Sequence, residues 1–480
     1  GWRTVNIRGM GIASNDITND IREGQLKGLV DLRDSVLPNL QAELDELASD
    51  LRDVLNQVHN RGVPFPGSQT MSGSRIFIRP TEQTMTLDSG GDDVAITLFD
   101  STGNQSATTT LETIMTSNLY GTSGSQVQAA NGPWTITEVA AQVEDWLQAN
   151  GASGATASIG TDGKMAIALN TTSLNLAFRD EAATADGSTA EDVVISYDAN
   201  GDGVSDETVS GFSYFFGLND FLIDSKFDNQ WESQVVATSF ASPTTSQTLT
   251  FRDAATGTIG TLAVTSGTSL TDLATNITNN ITNITATVVP EGDGSRLRIS
   301  HDNGSSITVT QATGNTLLTE LGLATADTGV ASVLQVRTDI QSAPAKISTA
   351  RAQWNAALGT GGQYFMGSGD DTIAQQLVTA MTSTNTFEKA GGLATKTATF
   401  AGYASEILSA NASLAGVNER ELESQRTLVE SLQFKSDSVR GVNLDQEMAD
   451  LLVFEQAFAA AARVIAVIQS MIDALDRAIQ

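Results

Sequence analysis

The sequence predicts an α+β protein with helical ends and an inserted, β-rich middle made of two related modules. Apolar residues step in 3-4 spacing near the start and again at the end of the chain. Between these ends the period falls to two, with Asp-Gly turns separating the alternating stretches. One succession of helix, strand, turn and strand then occurs twice within that middle.

Residues Gly1 to Asp20, with Val5 and Ile7 alternating, read as loop and edge strand. Leu37, Leu40, Leu44, Leu47, Leu51, Val54 and Val58 then form one stripe, backed by Glu43, Asp45, Glu46, Asp50, Arg52 and Asp53. This pattern predicts a helix from about Leu40 to His59, the stripe being its packing face. Pro38 suits the first turn or a kink, and Gly62 with Pro64 ends the helix. His59 falls at the C-terminal end, where a partial positive charge is tolerated. With no second histidine nearby, it reads as structural rather than as a metal ligand.

From Pro66 the segments Arg75–Arg79 and Val94–Phe99 read as strands. Thr135-Ile-Thr-Glu-Val-Ala140 is similar to Ser269-Leu-Thr-Asp-Leu-Ala274, and each opens an amphipathic helix with a Ser/Thr cap and an acid three residues on. The helices continue through Val143 and Trp146, and through Ile277 and Ile281. Strands follow around Asp162-Gly163 (Met165, Ile167, Leu169) and around Asp293-Gly294 (Leu297, Ile299). A third strand comes next at Leu174, Leu176 and Phe178, and at Ile307 and Val309. Each copy closes on an apolar-Gly-Leu signature, Phe216-Gly217-Leu218 and Leu321-Gly322-Leu323, and the first carries an insertion near residues 180–210.

After Ala345 the character returns to helical, with a helix from Thr372 to Met381 and a longer stretch from about Phe387 to Phe434 (Ile407, Leu414, Val417, Leu428, Leu432). The last stretch, from Gly441, bears an unbroken seam at Leu451, Phe454, Phe458, Ala461, Ile465, Ile468, Ile472, Leu475 and Ile479. A helix running to the last residue cannot bury such a seam by itself, so it needs a partner. The expected parts are 1–65, 66–225, 226–345 and 346–480, and the outer helical segments meet only if the middle loops out.

Composition narrows the chemistry. There are 26 Lys+Arg against 56 Asp+Glu, a formal charge of -30, and only nine Lys or Arg lie between Pro66 and Ala345. Such a surface repels phosphate backbones and anionic lipid, which argues against nucleic acid and membrane as partners. No apolar run approaches the roughly 18–20 residues of a bilayer span. Cysteine is absent, which excludes disulfides, thiol catalysis and Cys-based zinc sites. Two histidines, His59 and His301, leave little for a catalytic triad or a His-rich metal centre, and His301 reads as a surface turn.

No P-loop, dinucleotide fingerprint, HExxH or GxSxG occurs, so no enzyme and no bound cofactor is expected. Asp198, Asn200, Asp202 and Asp206 alternate around Gly201 and Gly203 as in a calcium loop, but Val209 stands where the bidentate Glu would be. A structural calcium site and an Asx-rich turn are both compatible with that string. The chain opens at Gly1 without a secretory signal and reads as a fragment lacking its beginning.

Two stretches carry a resemblance. Gly24-Gln-Leu-Lys-Gly28-Leu-Val-Asp-Leu-Arg-Asp34, with Val36-Leu-Pro38, Leu40-Gln and Leu44-Asp-Glu-Leu47-Ala, resembles the flagellar hook-associated protein 1 family of hook–filament junction proteins. Gly441-Val-Asn-Leu-Asp-Gln-Glu447 with the seam is similar to the C-terminal segment of that family, which rod and hook proteins share. Val336-Arg337-x-Asp339-Ile340 and Gly369-Asp-Asp371 to Ala374 look like it more loosely.

The resemblance implies a structural, motility-related subunit, exported by the flagellar type III apparatus without a cleaved signal and extracellular in place. Terminal helices would form an inner coiled-coil layer of a helical ring, the β modules pointing outward. Partners would be other copies of the chain, the hook protein, adjoining hook-associated or filament proteins and an export chaperone. The companion N-terminal helix is expected upstream of Gly1. The alternatives are another axial protein (distal cap or flagellin), against which the Leu-Arg-Asp…Leu-Pro stretch speaks, and a calcium-stabilised secreted adhesin or enzyme.

Overall fold

A computed structural model describes residues 24–479 apart from 89–91, 118–127, 182–190, 200, 202, 225–228, 254–256, 292–293, 313–314, 326–328 and 442. The expectations for Gly1–Asp20 lie outside the described residues. The chain divides into two compact units, one up to Ile407 and one from Leu408. The α+β class holds, with long helices and many antiparallel sheets.

The first unit is built on the N-terminal helix. It begins earlier than the stripe predicts, as Gly24–Asp31, passes through a π turn at Leu32–Val36 and continues as Leu37–Asn60. Pro38 explains the turn. It has no N–H for the carbonyl four residues back and its ring crowds that carbonyl, so the ladder widens beforehand. Leu37 N–H accordingly donates to Leu32 O, five residues back.

Leu40, Leu47, Leu51 and Val54 pack against Phe387, Phe400, Tyr403 and Ile407, where the Phe387 and Tyr403 rings stack at 4.0 Å. The two helical segments therefore meet, as the insertion requires. Val58 is buried, but Leu37 and Leu44 stay 47% and 40% exposed, a correction to the expected packing stripe.

The charged face is corrected too, because Glu43 and Asp45 are buried. Asp45 accepts N–H bonds from Gly329 (2.6 Å) and Ala331 (2.9 Å), and Glu43 accepts from Gly392 (3.0 Å). These backbone donors replace water around the carboxylates.

The duplication is visible in the strand pairings. In the first module the hairpin Asp93–Phe99/Gln105–Thr110 precedes helix Ile136–Ala149 and hairpin Thr156–Ile159/Met165–Ala168, after which Asn175–Glu181 returns to Asp93–Phe99. In the second, Gln247–Asp253/Gly257–Val264 precedes helix Leu270–Asn280 and hairpin Ile284–Glu291/Gly294–His301, and Ile307–Gln311 returns to Gln247–Asp253. An earlier strand adds to the later hairpin in both, setting Met71 opposite Ile167 and Trp231 opposite Ile299. The first module's extra hairpin, Val194–Asp198/Glu207–Ser210, falls within its predicted insertion.

The local chemistry repeats as well. Thr135 and Glu138 make a full reciprocal cap. In the second copy Ser269 Oγ accepts from Asp272 N–H, but Asp272 is one methylene shorter and binds the Ser269 hydroxyl instead. Both apolar-Gly-Leu signatures are Schellman turns. Gly217 and Gly322 adopt φ of 64° and 55°, while Leu218 N–H donates to Ser213 O and Leu323 N–H to Leu318 O.

The modules have separate cores, one around Trp134, Trp146, Phe212 and Phe216, the other around Leu249, Phe251, Leu297 and Ile299. Each fully buried large side chain contributes about 1.5–3 kcal/mol. Between the cores lies a cleft of about 970 Å³ whose walls include Arg75, Tyr214, Trp231 and Val309.

Three further expectations are corrected. Arg75–Arg79 is not a strand: Phe77 alone turns inward, its N–H on Gly163 O, while Arg75 lies 4.8 Å over the rings of Tyr197 and Phe215. The segment after Ala345 includes a hairpin, Gln353–Asn355/Gln363–Phe365. The helix expected from Phe387 begins at Phe400, because residues 385–398 form a second hairpin around Gly391, which adopts φ 56° and donates its N–H to Glu291 at 2.7 Å.

The second unit continues the helix Phe400–Arg440 and then runs Leu444–Ile479. The break falls at Gly441, and Asn443 Oδ1 starts the tail helix by accepting from Asp445 and Gln446 N–H.

Candidate assembly surface

The tail helix leaves its apolar side open. Every described residue from Leu444 to Ile479 is exposed, including Ala461. Of the other predicted seam positions, Ile468 is the least exposed at 49% and Phe458 the most at 78%, with Leu451, Phe454, Ile465, Ile472, Leu475 and Ile479 between. At 3.6 residues per turn these positions share one face.

A second stripe lies beside the first. Val453, Ala457, Ala460, Val464, Val467, Met471, Ala474 and Ala478 also step 4-3, and the face left over carries Glu455, Arg463, Asp473 and Arg477. Half of this second stripe is alanine, and the same 3-4 count along the sequence finds it. An apolar face this wide suits a helix with two neighbours, because one coiled-coil partner covers only one seam.

The Phe400–Ile479 stretch is also long and apolar enough, by length and composition, to cross a membrane. This corrects the expectation that no run approaches that length. Counting only uninterrupted apolar residues stops at Glu455 and Arg463.

In the candidate calcium loop, Asp198 Oδ1 accepts Gly201 N–H at 2.6 Å, Asp198 Oδ2 accepts Gly203 N–H at 2.7 Å, and Asp206 Oδ2 accepts Ala199 N–H at 3.0 Å. These are Asx-type turn bonds, so backbone donors already engage three of the carboxylate oxygens a cation would use. Asn200 and Asp202 lie outside the described residues.

His301 is buried at the end of its strand, not in a surface turn, with Nε2 3.6 Å from Asp253 and Nδ1 accepting Asn303 N–H. His59 sits in the last helical turn as expected, fully buried.

Sequence reasoning missed the buried charges behind the N-terminal helix. Arg61 grips Asp192 at 2.9 and 2.7 Å beside Asp180, whose carboxyl burial pushes up to about 7 while Phe212 N–H pulls it back. Burial likewise lifts Asp220 to about 6 against bonds from Ser74 and Asn60. No local motif marks these residues, which come together only through long-range pairing.

Comparison with known proteins supplies the context. The family model of the flagellar hook-associated protein FlgK helical domain matches residues 3–77, and that of the flagellar basal body rod FlgEFG protein C-terminal matches residues 438–478. The chain is thus FlgK-like at its N-terminal end and shares the C-terminal segment of flagellar rod proteins. Neither match covers residues 78–437, which hold nearly all of the β-rich middle. No curated protein sequence matches the chain.

Among solved structures, the flagellar cap protein FliD from Helicobacter pylori aligns at 10% identity over 71% of this chain and 84% of that one, with a TM-score of 0.15, which carries no argument about fold. Both matched families are flagellar and structural rather than enzymatic, so the FlgK-like chain has a structural role in the flagellum. The second match covers the predicted seam almost to its end.

Proposed function

We propose that this chain joins hook to filament, polymerising through its tail helix while the β modules face outward. The observation that carries this reading is the tail's double apolar stripe, open over its whole length. One stripe zips against a companion helix in an inner coiled-coil layer, and the other meets the next copy of the chain in a helical ring. Burial of exposed Phe, Ile and Leu drives both contacts.

On this reading the chain leaves the cell through the type III apparatus without a cleaved signal, escorted by a chaperone that shields the tail. It then works outside the cell between the hook protein and the adjoining hook-associated or filament proteins, in service of motility. We also propose the four-part division at 65, 225 and 345, and leave a calcium ion at Asp198 to direct titration.

Immunogold labelling of purified flagella tests the junction, with label expected in one band at the hook–filament boundary. Label spread along the filament or confined to its tip would move the chain to another axial position. The length of the tail favours a second reading, membrane insertion. Flotation of the whole chain with lipid vesicles, in place of polymerisation, would put that reading first.

A further inference from the structure

His59 closes a buried polar knot where the N-terminal helix meets the first module. Its Nδ1 lies 2.5 Å from the carbonyl of Asn219, and its Nε2 accepts the N–H of Ser348 at 2.8 Å. The two partners are 160 residues downstream and 289 residues downstream, so three remote parts of the chain converge on one ring. A carbonyl only accepts and a backbone N–H only donates, so the ring is neutral with its proton on Nδ1.

The surroundings leave no room for a charge. Asn219 Nδ2 donates to Gly62 O at 2.8 Å and to Ser348 Oγ, and Ser348 Oγ donates to Gly62 O at 3.1 Å. Phe221 packs its ring 5.3 Å away. The charged groups facing the knot are Asp220 beside Asn219, and Arg337 and Asp339 on the strand-to-helix turn. Asp220 takes bonds from Asn60 and Ser74. Arg337 pairs with Asp339 and donates to the carbonyls of Ser72 and Leu218. Among the described residues no carboxylate is hydrogen-bonded to the imidazole.

We propose that His59 makes this knot an acid-sensitive joint that releases the first module from the N-terminal helix. A proton from solvent taken up on Nε2 turns an acceptor into a donor aimed at the Ser348 N–H. Two donors then face each other across 2.8 Å. The 346–350 segment must leave, taking the Val63–Ala350 bridge with it. Val63 and Ala350 belong to the first module's core, so opening strips that edge of it, while the remainder of that core and the whole second core stay folded. Burial, the largest influence, holds the imidazole down at about 4, against the Asn219 carbonyl, which favours the proton. The joint is therefore closed at neutral pH and opens only in acid. This inference rests on the first unit alone and is independent of the junction reading.

Hydrogen exchange of the whole chain across pH 7 to 3.5, corrected for intrinsic rates, tests it. Amides of 55–63, 217–222 and 346–350 are expected to lose protection at least about tenfold between about pH 5 and 4, while helices Ile136–Ala149 and Leu270–Asn280 keep theirs. His59→Gln offers a donor and an acceptor but cannot titrate, so its joint should stay closed over that range. Equal loss in H59Q and the natural chain would overturn the proposal. If H59Q fails to fold, imidazole NMR in a His301→Gln chain decides: titration near 6.5 without opening of the joint would also overturn it.

Discussion

Ile465→Asp separates folding from assembly. Ile465 is 59% exposed in the isolated chain. Covering it with a neighbouring helix removes on the order of 100 Å² of apolar surface, about 2–3 kcal/mol at about 25 cal/mol per Å². A carboxylate in the same dry seam adds a desolvation cost of at least about 1–3 kcal/mol. A loss of about 4 kcal/mol per subunit raises the critical concentration for polymerisation by roughly three orders of magnitude.

In the free chain the same side chain already stands in water, so the melting free energy should change by no more than about 0.5 kcal/mol. The assay is paired: thermal melting of the purified chain, and incorporation into flagella of cells whose only copy carries I465D, with Ile465→Leu as control. Normal incorporation would refute the seam. Melting several degrees lower would refute the exposed tail, because that result requires Ile465 to be packed inside the free chain.

Other outcomes follow from buried geometry. Gly217→Ala would place a Cβ 2.0 Å from Ser74 Oγ at φ 64°, and urea denaturation should show a loss of about 2–4 kcal/mol. Gly28→Ala meets nothing within 4 Å, and in its helix it should gain up to about 1 kcal/mol.

Asp180, raised from 3.8 to about 7, keeps its proton in the folded state where the unfolded chain has lost it, so its contribution falls as pH rises from about 4 to 7 and is lowest above 7. Asp180→Asn still accepts Phe212 N–H, so it should stabilise the chain by about 1–3 kcal/mol at pH 8, with the gain fading toward pH 4 in denaturant melts. Millimolar calcium should shift the melting temperature by less than about 1 °C, since Asp198 and Asp206 are bonded to backbone N–H groups, and a rise of several degrees would restore the metal site.

Much of the architecture was legible because it rests on local periodicity. The Leu40–Val54 stripe, the two capped helices and the Asp162-Gly163 turn each act within a few residues, and the duplication repeated the helices; Asp293 lies outside the described residues. The failures have non-local causes. Glu43 and Asp45 look solvated in any window of sequence, yet Gly392, Gly329 and Ala331 arrive from across the chain to bind them. Pro38 suits a first turn or a kink by sequence alone, and it sits inside a longer helix where a π turn absorbs its missing N–H. Arg75–Arg79 alternates like a strand but has no ladder partner over its length. On the tail, Ala457, Ala460, Ala474 and Ala478 carry little hydrophobic signal individually and join the second stripe only by their spacing.

The chain leaves for the second module along Leu222–Ile223 and comes back along Gln335–Val336, and these two stretches hydrogen-bond to each other. Departure and return thus share one doorway, braced by Asn56, whose amide binds the backbone of Phe221 and Leu222. Whatever is threaded through that doorway need only bring its two ends together. The module can be exchanged, enlarged or deleted as a cassette without altering the sequence of the tail helix.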